Sequence, residues 1–175
     1  MDMEGLVLVD WEQLSRDLGA LSDDGHTESG GEETGARAIA SILGRDTIES
    51  AVRYYVSGGA GFETVRSVLQ LLRPREAMEE CMRIHDESER REERVSAIEL
   101  LRSIGDRSAL QWLDLLLKDS DPAVQQWAAR LVDQLVMTGL MDQESAESWA
   151  RRFEVHANAD VREVAVMIRR AFTDS

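Results

Sequence analysis

The sequence predicts an all-α protein, an α–α superhelix of about five stacked antiparallel helical hairpins. Three observations carry this expectation. Apolar residues recur at three- and four-residue spacing through most of the chain. The periodic segments are short, and each is bounded by a capping residue, a glycine or one of only two prolines. Ala, Leu, Arg and Glu are abundant, and these side chains lose little rotamer freedom in a helix. At 175 residues the chain can bury a substantial core without disulfides.

The chain opens with an apolar run, Gly5 to Val9, whose length assigns no conformation. Asp10 and Gln13 then have capping-box spacing and start a helix with Trp11, Leu14, Leu18 and Leu21 on one stripe. Residues 22–35 carry no apolar periodicity to offset the entropy of ordering, so an acidic mobile loop is expected there. A helix bearing Ala36, Ile39, Ala40 and Leu43 stops at Gly44. Asp46 with Glu49 predicts the next cap, followed by Ile48, Val52, Tyr55 and Val56 and a stop at Gly58-Gly59.

Phe62, Val65, Leu69 and Leu72 mark a return helix closed by Arg73-Pro74, because the residue before proline is pushed out of the helical region. Pro74 opens a helix that turns Ala77, Met78, Cys81, Met82 and Ile84 inward, with a turn from Asp86 to Glu89. Val95, Ala97, Ile98, Leu101 and Ile104 surround more than half of the next helix, which predicts the most buried layer. After Gly105-Asp106 a helix with Ala109, Trp112, Leu113, Leu116 and Leu117 is expected. Asp121 and Pro122 are a cap and a first helical residue for Val124, Trp127, Ala128, Leu131 and Leu135. Beyond Gly139, Asp142 with Ser145 opens a helix burying Ala146, Trp149, Ala150 and Phe153. Asn158 caps the last, with Val161, Val164, Ala165, Ile168 and Phe172 facing in. The organisation predicted is an N-terminal helical pair over 1–45 and a repeat array over 46–175, in one continuous unit.

Net charge is −14, unevenly spread. Residues 1–34 hold ten acids and one base, −9; the other 141 hold 24 acids and 19 bases, −5. Such a chain repels phosphate backbones and attracts basic partners at long range, so neither nucleic acid nor a membrane surface is expected as partner. The single cysteine, Cys81, the lack of a secretory signal pattern and the lack of a bilayer-length apolar run lead to the expectation of a cytoplasmic protein.

An internal period supports the stack. The pattern of an apolar residue, Arg or Gln, then a small or apolar residue three later and an apolar one after three more occurs at Val65-Arg66, Leu69, Leu72 and at Val124-Gln125, Ala128, Leu131. It recurs at Val161-Arg162, Ala165, Ile168, and with Glu93 in the apolar slot at Arg94, Ala97, Leu100. Registers at 66, 94, 125 and 162 are 28, 31 and 37 residues apart. With Asp121-Pro122-Ala123-Val124-Gln125-Gln126-Trp127-Ala128 as the nearest match, residues 46–172 resemble the short bacterial HEAT-like repeats, including those of phycobilin-lyase type. Glu93 and Gln125 depart from the family pattern. The resemblance implies that the second helix of each hairpin lines a concave surface. It also implies that Arg66, Arg94 and Arg162 brace the turn of a neighbouring repeat.

The chemistry-bearing residues assemble no catalytic set. Cys81, His85 and Asp86 share a helical region but are too few to close a metal site, so a buried cysteine beside a surface histidine is expected and no cofactor. Gly58-Gly59-Ala60-Gly61 lacks the strand and lysine of a phosphate loop. Glu79-Glu80 and Glu92-Glu93, interleaved with arginines, read as solvated faces. Trp11, Trp112, Trp127 and Trp149 fall on apolar stripes and are expected in the core, leaving Tyr54 as the most exposed aromatic.

The expected function is therefore protein binding, as an acidic inhibitor or immunity-type protein that captures a basic partner such as a toxin. The alternatives are a regulatory adaptor or, by resemblance, a phycobilin-lyase-like handler of a chromophore. Candidate contacts lie opposite the apolar stripes: Glu92, Glu99 and Arg102 on one return helix, Gln126, Arg130 and Asp133 on the next, and Glu163 and Arg170 on the last.

Overall fold

A computed structural model describes residues 9–22 and 31–173 of the chain, and every regular element among them is helical. The helices are α1 Trp11–Asp17, α2 Glu32–Leu43, α3 Arg45–Val56, α4 Phe62–Leu72, α5 Arg75–Glu87 and α6 Arg91–Ile104. A 3-10 segment, Arg107–Trp112, runs into the single turn α7 Leu113–Leu116, followed by α8 Pro122–Met137, α9 Gln143–Glu154 and α10 Ala159–Thr173.

Side-chain caps fix four of the α-helix starts. Asp10 accepts from the Gln13 amide at 3.0 Å, Asp121 from Ala123 at 3.0 Å and Asp142 from Ser145 at 2.8 Å, while Asn158 accepts from Asp160 at 2.9 Å. Three boundaries differ from expectation. α2 begins at Glu32, so Glu32–Gly35 form a helical turn and not a loop; Glu32 and Glu33 lie where the helix dipole favours acids. Residues 23–30 of the expected acidic loop lie outside the described residues. Gly44, at φ +75°, ends α2 and begins α3, so Asp46 lies inside the first turn and caps nothing. The helix expected over Ala109–Leu117 is split, because Asp106 accepts from both the amide and the hydroxyl of Ser108, at 2.8 and 2.6 Å, and holds the segment in a tight turn.

α4, α6, α8 and α10 lie side by side in chain order, each against the next, while α3 packs on α4 and α5, α5 on α6 and α9 on α10. One cluster joins Val52, Met78 and Cys81 to Ile98, Leu101 and Ile104 and runs on through Leu113, Leu131 and Phe153 to Ile168. Each of the larger side chains there contributes roughly 1.5–3 kcal/mol by leaving water. α6 is the central element: no residue from Glu93 to Ile104 is fully exposed.

The N-terminal stripes are not buried among the described residues. α1 and α2 have no buried residue; Trp11 is 63% exposed, Ile39 50% and Leu43 39%. Trp11 therefore leaves the core, and it, not Tyr54 at 44%, is the most exposed aromatic. Trp112, Trp127 and Trp149 are half-buried against the core.

Register-equivalent residues brace the turns. Arg94 donates to the Ser88 carbonyl at 2.9 Å, Gln125 to Asp119 at 2.6 Å and Arg162 to His156 at 2.7 Å. Each reaches back six residues to the turn before its own helix, not to the turn of another helical pair. Gln125, the departure from the arginine pattern, does the same work and also accepts from Asn158 at 3.0 Å, which joins two successive turns. Arg66 is the exception: it pairs with Glu63 on its own helix.

Candidate binding surface

α6 and α8 pack along their lengths, and each places two charged residues three apart, Glu99 and Arg102 on α6 and Arg130 and Asp133 on α8. Residues three apart in a helix share a face. Trp127, three residues before Arg130, joins them; the Arg130 guanidinium carbon is 5.7 Å from its ring centroid.

Asp133 is 7% exposed, one of three buried polar residues among those described. The other two are satisfied. Glu80 accepts three hydrogen bonds from arginines, and the Ser103 hydroxyl donates to the Glu99 carbonyl at 3.0 Å. Asp133 has no close hydrogen bond or ion pair with a described residue, but its carboxylate lies within the fields of Arg102 and Arg130 and its oxygens keep contact with solvent; the atoms sealed without an acceptor are the Nε atoms of Arg102 and Arg130. A buried polar group left unpaired loses its hydration with nothing in return.

The titration directions follow from this. Burial lowers the Arg102 pKa and the neighbouring Arg130 charge lowers it further, against opposition from Asp133 and Glu99. Burial raises the Asp133 carboxyl, against the pull of Arg102 and Arg130. Burial also raises the Tyr55 phenol, with the Glu99 charge adding to it and Arg66 opposing, so α3 and α4 border the same cluster.

Four of the expected contact residues are thus brought together: Glu99, Arg102, Arg130 and Asp133. Glu92 is exposed in the first turn of α6, Gln126 is half-buried on α8, and Glu163 and Arg170 are exposed on α10 apart from the cluster. The sequence places Asp133 on the polar side of α8; its burial follows from the packing of α6 against α8, for which one helix carries no signal.

Two groups expected on the surface are built in. Glu80 is 2% exposed. The His85 side chain is 10% exposed, its Nδ1 2.8 Å from Asp86 and its Nε2 2.9 Å from Asp119, so α5 is tied to the turn before α8. His156 Nε2 donates to the Leu117 carbonyl at 3.0 Å while its Nδ1 accepts from the Asn158 amide at 3.1 Å. No group of three or more His, Cys, Asp or Glu among the described residues is placed to hold a metal, and no helix among them is long and apolar enough to cross a membrane. A cleft of about 850 Å³ lies between α2 and the α4–α5 turn, lined by Arg37, Arg73, Glu76 and Arg107 among others, and no tryptophan lines it.

No protein-family model matches the chain, and neither a curated protein nor a solved structure matches it.

Proposed function

We propose that this chain is a non-catalytic protein-binding module of HEAT-like type, an acidic inhibitor or immunity-type protein whose α6–α8 face captures a basic partner such as a toxin. The observation that carries the reading is the pair of Nε atoms of Arg102 and Arg130, sealed without an acceptor beside the buried Asp133 on that face. The other buried charged residue described, Glu80, is fully hydrogen-bonded, so a buried cluster that lacks hydrogen bonds in the free chain is suited to completion by another molecule. The −14 charge steers a basic partner toward the chain at long range. The shared turn-bracing bonds of Arg94, Gln125 and Arg162 support the repeat.

The test is affinity capture from the native host at low and at physiological salt. Three baits are compared: wild type, the Arg102→Gln/Arg130→Gln/Asp133→Asn variant, and a control altered on α9, Arg151→Ala. A basic protein retained by wild type and control and lost by the triple variant is the expected result. Identical retention by all three baits, or no retained protein at low salt, overturns the reading.

A further inference from the structure

We propose that Arg102, Arg130 and Asp133 form a carboxylate-binding site that takes one Asp or Glu side chain of the partner protein. The proposal rests on the binding-module reading and deepens it: the long-range charge attracts a basic surface, and a single acidic residue within that surface is the anchor. The sign of the anchor follows from the arrangement. Two guanidinium groups from adjacent helices repel each other, and neither is neutralised by an ion pair with a described residue. A cation placed on Asp133 would meet both arginines. An anion between them relieves the repulsion and supplies acceptors to their terminal nitrogens. A carboxylate suits the site because its two coplanar oxygens match two planar guanidinium groups. A doubly charged phosphate would set more negative charge against Asp133.

Asp133 adds a third contact by donating its carboxyl proton to one oxygen of the incoming carboxylate. Burial raises its carboxyl, which favours the neutral, proton-donating form relative to an ordinary carboxyl. When Asp133 starts ionised, complex formation takes up one proton, which then sits between the two carboxyl groups. The charges acting on Asp133 are Arg102 from α6 and Arg130 from its own helix; Glu99 and, from α4, Arg66 act through Arg102, and no charged group of α7, α9 or α10 adds to them. Affinity for a carboxylate should therefore fall as pH rises above the Asp133 pKa, by up to about tenfold per unit.

The experiment uses the isolated full chain, labelled with ¹⁵N, and follows the side-chain Nε–H signals of Arg102 and Arg130 during titration with acetate at constant ionic strength. Inorganic phosphate is the parallel arm. Saturable movement of both signals with acetate, weakening as pH rises, is the expected result. Arg102→Gln and Arg130→Gln should each weaken the response at least about tenfold. Asp133→Asn, whose amide always donates, should bind acetate with no pH dependence and so separates the proton from the fold. Absence of saturable movement, a response to phosphate alone, or full affinity in Arg130→Gln overturns the proposal. Because no partner is needed, its failure is distinguishable from failure of the capture experiment: a captured protein with no acetate response removes the anchor and leaves the module.

Discussion

Arg53 of α3 donates from Nη1 to Glu80 Oε1 of α5 at 2.9 Å, and Glu80 is among the least exposed charged side chains described, at 2%. Arg83 completes the shell, donating from Nε to Oε2 at 2.7 Å and from Nη2 to Oε1 at 2.6 Å. Both arginines are about half exposed, so losing one cation is cheap for the cation and expensive for the carboxylate. Arg53→Ala/Arg83→Ala is expected to destabilise the chain by about 3 kcal/mol or more in urea unfolding, because it strands a buried carboxylate. Each single variant should lose less than half of that. A double variant within about 1 kcal/mol of wild type would show that Glu80 finds water in place of the arginines.

Asp133 should weaken the free chain at neutral pH. Its folded pKa lies above the unfolded value because burial disfavours the charge. Between those two values the folded state holds more protons than the unfolded state, so stability falls as pH rises through that window and is level above it. Asp133→Asn removes this fall. Unfolding midpoints measured from pH 4 to 8 should show the variant gaining on wild type with rising pH. The carboxyls of Asp121, Asp142, Glu79 and Glu147, all held below their usual values, act in the opposite sense. Their stabilisation is lost as pH falls through their folded values, in both proteins alike. A constant difference between wild type and Asp133→Asn across the range would remove Asp133 as the source.

Most helices and several of their caps were legible because they are local: Asp121-Pro122, Asp142 with Ser145 and Asn158 each act within a few residues, whereas Asp46 had the right spacing and caps nothing. The charged interior was not. Glu80 and Asp133 both follow helical polar spacing, and what buries them is a neighbouring helix. The same holds in reverse for Trp11, Ile39 and Leu43, which have the right period but no described element to cover them. The split at Arg107–Leu116 turns on Ser108 bonding to Asp106, a choice that apolar periodicity does not register. Of the proposed face, the polar spacing on α6 and α8 could be read, and the burial of Asp133 between those helices could not.

Cys81 should report global unfolding. It is fully buried, and burial together with the Glu80 charge pushes its thiol far above the ordinary range, so the reactive thiolate is suppressed twice. Labelling by a disulfide reagent in native buffer is expected to be slower than in urea by several orders of magnitude and to follow the population of the unfolded chain. In Arg53→Ala/Arg83→Ala the rate should rise about a hundredfold, the factor that corresponds to a loss of about 3 kcal/mol. Native labelling at the unfolded rate would mean that the α5 face opens locally.

Gly105 ends α6 at φ +62°, and a Cβ there would lie 3.1 Å from Cγ of Gln134 on α8. Gly58, at φ +70°, has open space in the same direction. Both positions hold a backbone that an L side chain adopts only under strain of about 1 kcal/mol, so Gly58→Ala should cost about that much. Gly105→Ala adds displacement of Gln134 at the α6–α8 contact and should cost measurably more. Gln134→Ala shortens the opposing side chain, so in the Gly105→Ala/Gln134→Ala double variant the excess should vanish and the backbone strain remain. A double-mutant cycle in urea unfolding measures this as a coupling between two helices that carry the proposed site. Zero coupling would place the whole cost of Gly105→Ala in the backbone and leave the α6–α8 contact undisturbed.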